Sequence, residues 1–117
     1  MTILEKQAEI CERFGAAFVE AAGHLKIGIA LQTLDLLPLN GMRIPPSGTT
    51  CGWYVWGGED LSRDANFFQP LHVAHVEIRC AAILPYLGLA PGWRFLIAPQ
   101  YEDVWFDPEL LGQLDEA

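Results

Sequence analysis

The sequence predicts an α+β fold, with two main helices packed on one small, mainly antiparallel sheet. The chain of 117 residues has the length of one ordinary domain. Its hydrophobic fraction of 51 % is sufficient for a core that needs no disulfides. Stretches with helical and strand-like patterns follow one another irregularly, whereas a doubly wound sheet requires regular alternation. We therefore treat residues 1–117 as a single α+β domain.

The first helix is predicted over residues 2–22. Thr2 is a suitable N-cap, and Glu5 three residues later completes a capping box. Apolar residues then recur at helical spacing on one face, while the acidic residues lie largely off it. Gly23 is a residue that can end this helix in the left-handed conformation.

The second helix is predicted over residues 70–84. Pro70 would occupy the first helical position, where its missing N–H loses no hydrogen bond. Apolar residues cover a wide face of this stretch, and Pro85 kinks or ends the helix. Near the end of the chain, residues 112–117 are expected to form a frayed tail.

Strand-like patterns occur in residues 25–34, 51–57 and 93–98. After a turn at 99–100, residues 101–106 are expected to return as a short strand and form a hairpin. Residues 35–46 differ, because Asn-Gly is typical of a tight turn and prolines are excluded from central strands. We therefore predict an irregular connection in this part of the chain.

Two segments echo each other and contain all four tryptophans. The segments are residues 51–60 and 91–105, and each contains Gly-Trp, then an aromatic or apolar run, then Glu-Asp, at 59–60 and at 102–103. The pattern predicts a rigid aromatic sheet with negative charge at its rim, which suits binding better than catalysis. Trp53 and Trp56 stand three residues apart in one strand, so they are predicted to face opposite sides.

The net charge of −8 is unevenly distributed, since no Lys or Arg follows Arg94. Binding to nucleic acid is disfavoured, because phosphates need basic partners. A basic protein partner is favoured by long-range attraction. No apolar run approaches the length of about 20 residues that a membrane span needs, and the N-terminus lacks a signal-peptide layout. We therefore predict a cytoplasmic protein with no nucleic-acid or membrane partner.

Three alternatives involve catalysis or metal binding. Cys51 could act as a thiol nucleophile with His72 or His75, although a buried structural cysteine is favoured. The two histidines lie three residues apart near Glu77 and could grip a metal, but a lone HxxH pattern is weak. Acids from both echoing segments could form a dyad if their strands are neighbours. No catalytic signature accompanies them, so we predict no enzyme, metal or cofactor.

Three short stretches carry a resemblance to a known family: Gly-Trp-Tyr-Val-Trp at 52–56, Gly-Trp-Arg-Phe at 92–95, and Tyr-Glu-Asp-Val-Trp-Phe-Asp at 101–107. Together they resemble family 33 of the polymorphic-toxin immunity proteins, over roughly the C-terminal half of the chain. The resemblance implies a small α+β antitoxin that binds and blocks a cognate toxin domain. The negative charge favours a basic toxin, such as a nuclease.

On this interpretation the partner-binding surface combines aromatic anchors with acids, while Arg94 has a structural role. A homodimer is also allowed, because aromatic strands at a sheet edge pair easily. The alternatives are a regulatory or interaction domain without a toxin, and a small metal-dependent enzyme using His72 and His75. The predicted partner-binding residues are Trp56, Glu59, Asp60, Tyr101, Glu102, Asp103, Trp105 and Asp107.

Overall fold

The structure, a computed structural model, describes residues 1–114 and the side chains of residues 1–112. One six-stranded sheet forms the centre of a single domain, and the helical segments within residues 3–14 and 73–86 cover one of its faces. The α+β prediction is confirmed. The strands are β1 Lys26–Ile29, β2 Leu39–Arg43, β3 Thr50–Gly57, β4 Gln69–His72, β5 Trp93–Ala98 and β6 Tyr101–Phe106.

The strands lie in the order β4-β1-β3-β2-β5-β6. Only the β1–β3 pair is parallel, and the four other neighbouring pairs are antiparallel. The hairpin of β5 and β6 is confirmed with the predicted bounds, and β6 is an edge strand. Within residues 1–114, no helix is long and apolar enough to cross a membrane.

The first helix, α1, spans Ile3–Phe14. It begins as predicted, because Thr2 and Glu5 form the complete capping box. Its predicted end at residue 22 is wrong. Gly15 adopts the left-handed conformation with φ 76°, and its N–H closes onto the carbonyl of Cys11. The helix therefore stops at the first suitable glycine, and beyond it Phe18 forms an isolated bridge with Leu89.

The second helical segment consists of a 3-10 turn at Val73–His75, the helix α2 at Val76–Cys80 and a 3-10 stretch at Ala81–Tyr86. The helix predicted over residues 70–84 thus begins too early. Its first residues belong to β4, which pairs with β1 and forms the other edge of the sheet. An edge strand tolerates Pro70, because its nitrogen can face the side of the strand on which no other strand pairs.

The irregular connection predicted at 35–46 is wrong, because β2 is a central strand between β3 and β5. The prolines flank this strand instead of interrupting it. Asn40 does not turn the chain, and its side-chain amide donates to the carbonyl of Gly58 at 2.8 Å. Gly41 lies against the ring of Phe95, which occupies the space that a side chain would need.

We expect Gly41→Ala to lower the free energy of unfolding by about 1–3 kcal/mol. A Cβ at this position would overlap the ring of Phe95, which is 1 % exposed and has no room to move. Urea denaturation measures the effect. Gly112→Ala is the control, because among the described residues no atom outside its own helical turn lies within 4 Å of the Cβ it would add. Equal stability of both variants would contradict the pairing of β2 with β5.

The main core lies between the sheet and the helical segments and includes Trp53, Phe95 and Val104. A smaller apolar cluster of Ala30, Trp56 and Phe67 covers part of the opposite face. Trp53 and Trp56 therefore lie on opposite faces, as the strand pattern predicted. The rest of that opposite face, over β5 and β6, is left more open, and we call it the outer face.

Arg43 is a buried cation at the end of β2, with 1 % of its surface exposed. Its guanidinium donates to the carbonyl oxygens of Val19 at 2.6 Å, Leu89 at 2.8 Å and Cys51 at 2.9 Å. It also lies 5.7 Å from the ring centre of Trp53. The ion pairs recorded within residues 1–112 do not include Arg43. Main-chain carbonyls from three separate segments therefore satisfy this charge.

Candidate partner-binding surface

The β5–β6 hairpin brings together three of the predicted partner-binding residues. Side chains alternate between the two faces of a strand, and Val104 points into the main core. Tyr101, Asp103 and Trp105 therefore all point to the outer face. Glu102 points to the helix-covered face, so the two acids of the Glu-Asp pair are separated.

The pairing of β5 with β6 completes an aromatic and acidic strip on the outer face. Asp103 stands opposite Leu96, and Tyr101 follows at the tip of the hairpin. Tyr101 is 54 % exposed, Asp103 is exposed, and Leu96 and Trp105 are half-buried. Within residues 1–112, no hydrogen bond or ion pair to the Asp103 carboxylate is recorded. We call Leu96, Tyr101, Asp103 and Trp105 the outer strip.

Arg94 holds one end of the outer strip in place. Its guanidinium lies 5.6 Å from the ring centre of Trp105 and donates to the Asp107 carboxylate at 3.1 Å. The predicted structural role of Arg94, pairing with an acid or stacking on a tryptophan, agrees with both contacts. The other carboxylate oxygen of Asp107 accepts from the N–H of Glu109 at the start of the 3-10 helix Pro108–Leu114. In this structure Asp107 is thus engaged within the chain.

Glu102 connects β6 with α1 and with the 3-10 stretch Ala81–Tyr86 on the helix-covered face. The Tyr86 hydroxyl donates to one carboxylate oxygen at 2.5 Å, and Arg13 of α1 donates to the other at 2.7 Å. Burial opposes ionisation of Glu102, but the hydrogen bonds from Tyr86 and Arg13 outweigh it and lower its pKa. Burial and the bond to Glu102 raise the pKa of Tyr86. The carboxylate is therefore occupied within the fold.

We expect Glu102→Gln to destabilise the protein at neutral pH and to matter much less in acid. The pKa of Glu102 in the folded state lies below its ordinary value of 4.5. The ionised network therefore stabilises the fold above pH 4.5 and loses its contribution as the pH falls through that lowered pKa. Urea denaturation from neutral pH to about pH 3 measures the difference between the variant and the parent. A pH-independent difference would contradict the ionised network.

Trp56 lies away from the outer strip and is 4 % exposed. Its ring packs with Ala30 and Phe67, and Phe68 meets it edge-on. The indole N–H is buried and has no hydrogen-bond partner among the described residues. In this structure the ring of Trp56 packs in the smaller apolar cluster and is too buried to contact a partner.

Glu59 and Asp60 lie just beyond the end of β3 and are exposed. One row of paired residues, Gly57, Leu39, Ile97 and Glu102, runs across β3, β2, β5 and β6 at this end of the sheet. The acids therefore lie at the same end of the sheet as the tip of the hairpin, with β2 and β5 between them and β6. An apolar hollow of about 330 Å³ opens at this end, lined by Leu37, Leu39, Ala82, Ile97, Ala98 and Pro99.

Comparison with known protein families identifies the chain. The family model of the Imm33-like domain matches residues 6–107, which include most of α1, all six strands and the outer strip. The protein belongs to the Imm33-like family. The resemblance first seen in the C-terminal half thus extends over most of the chain. No curated protein and no solved structure matches it.

The residues of the alternative catalytic and metal sites lie on different elements of this Imm33-like domain. His72 belongs to β4 and His75 to the 3-10 turn after it, so they do not share one helix face. Their ring centres lie 5.9 Å apart. Within the described residues, no three His, Cys, Asp or Glu side chains form a group that could hold a metal ion. Cys51 is fully buried, and burial raises the pKa of its thiol.

Sequence reasoning missed several features of this end of the Imm33-like domain. Leu96 was not among the predicted contact residues, although the alternation of β5 places it beside Asp103. The same alternation predicted that Glu102 and Asp103 face opposite sides, but both were still assigned to one contact surface. The apolar hollow depends on β2, whose Asn-Gly pair was interpreted as a turn, so no local signal pointed to it.

Proposed function

We propose that this protein is a non-catalytic, cytoplasmic immunity protein that binds a cognate bacterial toxin domain and neutralises it. The observation that carries the proposal is the outer strip. An exposed tyrosine ring, a half-buried tryptophan ring and an acid without a partner among the described side chains lie side by side on the less covered sheet face of an Imm33-like domain. Such surfaces are typical of protein contacts dominated by a few aromatic residues.

The outer strip supplies both parts of a specific contact. Tyr101 and Trp105 offer large, rigid rings whose burial contributes most of the affinity. Asp103 offers a carboxylate that no other described side chain neutralises. Leu96 fills the space between the aromatic residues on the neighbouring strand. This combination favours a partner that presents apolar groups beside a lysine or arginine.

The charge of the whole chain favours a basic toxin. A net charge of −8 creates a negative field that accelerates the approach of a positively charged partner. Glu59 and Asp60 add to this field at the adjoining end of the sheet. The free carboxylate of Asp103 then lies where the two surfaces meet, whereas Glu102 and Asp107 hold the hairpin in shape from within.

The proposal is tested by capture followed by protection. The tagged protein is purified at low salt from its native host, and a basic partner that dissociates as salt rises is identified. That partner is then expressed in a test bacterium with and without the protein. Growth arrest that the protein relieves supports the proposal. A toxic partner that the protein does not restrain, or purification with stoichiometric zinc or iron and no partner, would overturn it.

A further inference from the structure

The two edges of the sheet are built differently. The edge strand β4 has four residues and contains Pro70. The edge strand β6 has six residues and pairs with β5 in continuous register without a bulge. It contains no proline and no lysine, and the charges it carries are the two acids Glu102 and Asp103. Charged side chains discourage the addition of another strand, but acidic ones do so for an acidic or identical strand and not for a basic one.

The backbone pattern shows which groups this edge presents. Hydrogen-bonded and non-hydrogen-bonded pairs alternate along an antiparallel ladder. The N–H of Asp107 donates to the carbonyl of Gly92 at 2.7 Å, which sets the phase of the alternation. The amides of Tyr101, Asp103 and Trp105 therefore face β5. The amides of the intervening residues, Glu102, Val104 and Phe106, face away from the sheet.

The neighbouring elements leave this edge open. Arg13 of α1 reaches Glu102 from the helix-covered face. The 3-10 helix that follows β6 turns back over the sheet, where Leu110 lines a cavity with Met42 and Tyr54. Within residues 1–114, no other strand pairs with β6.

We propose that the edge of β6 accepts an extended, basic strand of the toxin and thereby lengthens the sheet by one strand. This inference rests on the proposed function and specifies the conformation of the toxin segment that would bind at β6. An added strand would place every second side chain on the outer face, beside Tyr101, Asp103 and Trp105. A lysine or arginine in that series would meet the free carboxylate of Asp103, and the apolar residues would contact the two aromatic rings.

The charge of β6 favours this occupant over a second copy of the chain. Antiparallel pairing of two β6 strands would bring Glu102 and Asp103 of each copy close to the same acids of the other. Like charges across paired strands are destabilising. Arg13 pairs with Glu102, but within residues 1–112 no cation pairs with Asp103 to offset its charge.

The first test uses peptides and the intact protein labelled for NMR. The probe alternates lysine and valine and matches the six residues of β6 in length. One control replaces lysine by glutamate, and another replaces valine by proline. At low salt we expect the probe alone to slow hydrogen exchange at the amides of Glu102, Val104 and Phe106 by about tenfold or more. Failure of the probe to protect them, or equal protection by the glutamate peptide, would overturn the inference.

The second test removes one outward amide. Val104→Pro deletes an N–H that faces away from β5, so the β5–β6 ladder is kept. Val104→Ala is the matched control, because it shortens the same buried side chain and retains the N–H. We expect the probe to bind Val104→Pro at least about tenfold more weakly than Val104→Ala. Equal affinity would show that the edge is not used.

Comparison of the parent protein with Val104→Pro separates this inference from the proposed function. If the parent protein and Val104→Pro both relieve the toxin's growth arrest equally, the function holds and the edge inference is wrong. If the parent gives no relief, the proposed function fails, and the peptide experiment still decides whether the edge accepts a strand. Self-association of the free protein with protected Val104 and Phe106 amides would assign the edge to a second copy and overturn the inference.

Discussion

Arg43→Met is expected to lower the free energy of unfolding by about 4 kcal/mol, because it removes a buried cation that several carbonyls surround. Three of its hydrogen bonds, to Val19, Leu89 and Cys51, are 2.9 Å or shorter. In Arg43→Met these carbonyl oxygens remain buried but lose the hydrogen bonds that the guanidinium donated, which destabilises the folded state. Methionine keeps most of the apolar stem against Trp53, so the loss reports on the hydrogen bonds.

Two further variants make this prediction specific. Arg94→Met removes a half-exposed arginine that pairs with Asp107, and it should cost no more than about 1 kcal/mol. Arg43→Lys keeps the charge but loses the planar fork, so its stability should lie between those of the parent and Arg43→Met. Urea denaturation compares all three variants. Similar losses for Arg43→Met and Arg94→Met would contradict the buried carbonyl cluster.

Loss of the ring in Trp105→Ala is expected to weaken binding of the cognate toxin by about 2 kcal/mol, or roughly thirtyfold in Kd. Asp103→Lys is expected to slow association by about tenfold and to reduce its dependence on salt. Both effects follow from the proposal that Trp105 and Asp103 of the outer strip contact the toxin. Surface plasmon resonance at several salt concentrations measures the affinity and the association rate together.

The control for charge is Glu12→Lys on the exposed side of α1. It changes the net charge by the same amount as Asp103→Lys but lies outside the hairpin. We expect it to slow association only slightly, because its effect acts through the overall field. Equal slowing by the two substitutions would contradict a contact at Asp103. Unchanged affinity of Trp105→Ala would remove the aromatic anchor from the proposal.

Local signals predicted those parts of the fold whose structure is decided by neighbouring residues. The capping box of Thr2 and Glu5 starts α1 as expected, and the β5–β6 hairpin has the bounds that its turn and strand patterns indicated. The prediction at Asn40-Gly41 failed because tertiary contacts outweigh turn preference there. Phe95 requires the space of a glycine, and the Asn40 amide is used between β2 and β3.

Tertiary contacts also decide where the helices begin and end, which local sequence signals did not predict. The apolar pattern continues past Gly15, but the packing of residues 16–25 across the domain favours the first glycine as the end of α1. At the second helix, Pro70 satisfies the rule for a helix start and the rule for an edge strand equally well. Only the pairing of β4 with β1 decides between them.

The candidate site was only partly visible in the sequence. Aromatic and acidic residues at 101–107 were recognised as a group, but strand alternation divides them between two faces. Asp103 lies free on the outer face, whereas Glu102 binds Tyr86 and Arg13. Trp56 looked equivalent to Trp105 in the sequence, and its burial results from Phe67 and Phe68, which the connection between β3 and β4 supplies.

The most direct test of the proposed interface is an NMR map of the labelled protein bound to its purified toxin domain. We predict that the largest changes in amide shift and exchange fall on residues 101–106 and on Leu96, with small changes in α1 and β4. Changes concentrated on α1 or β4, with residues 101–106 unaffected, would contradict the account and place the binding surface elsewhere.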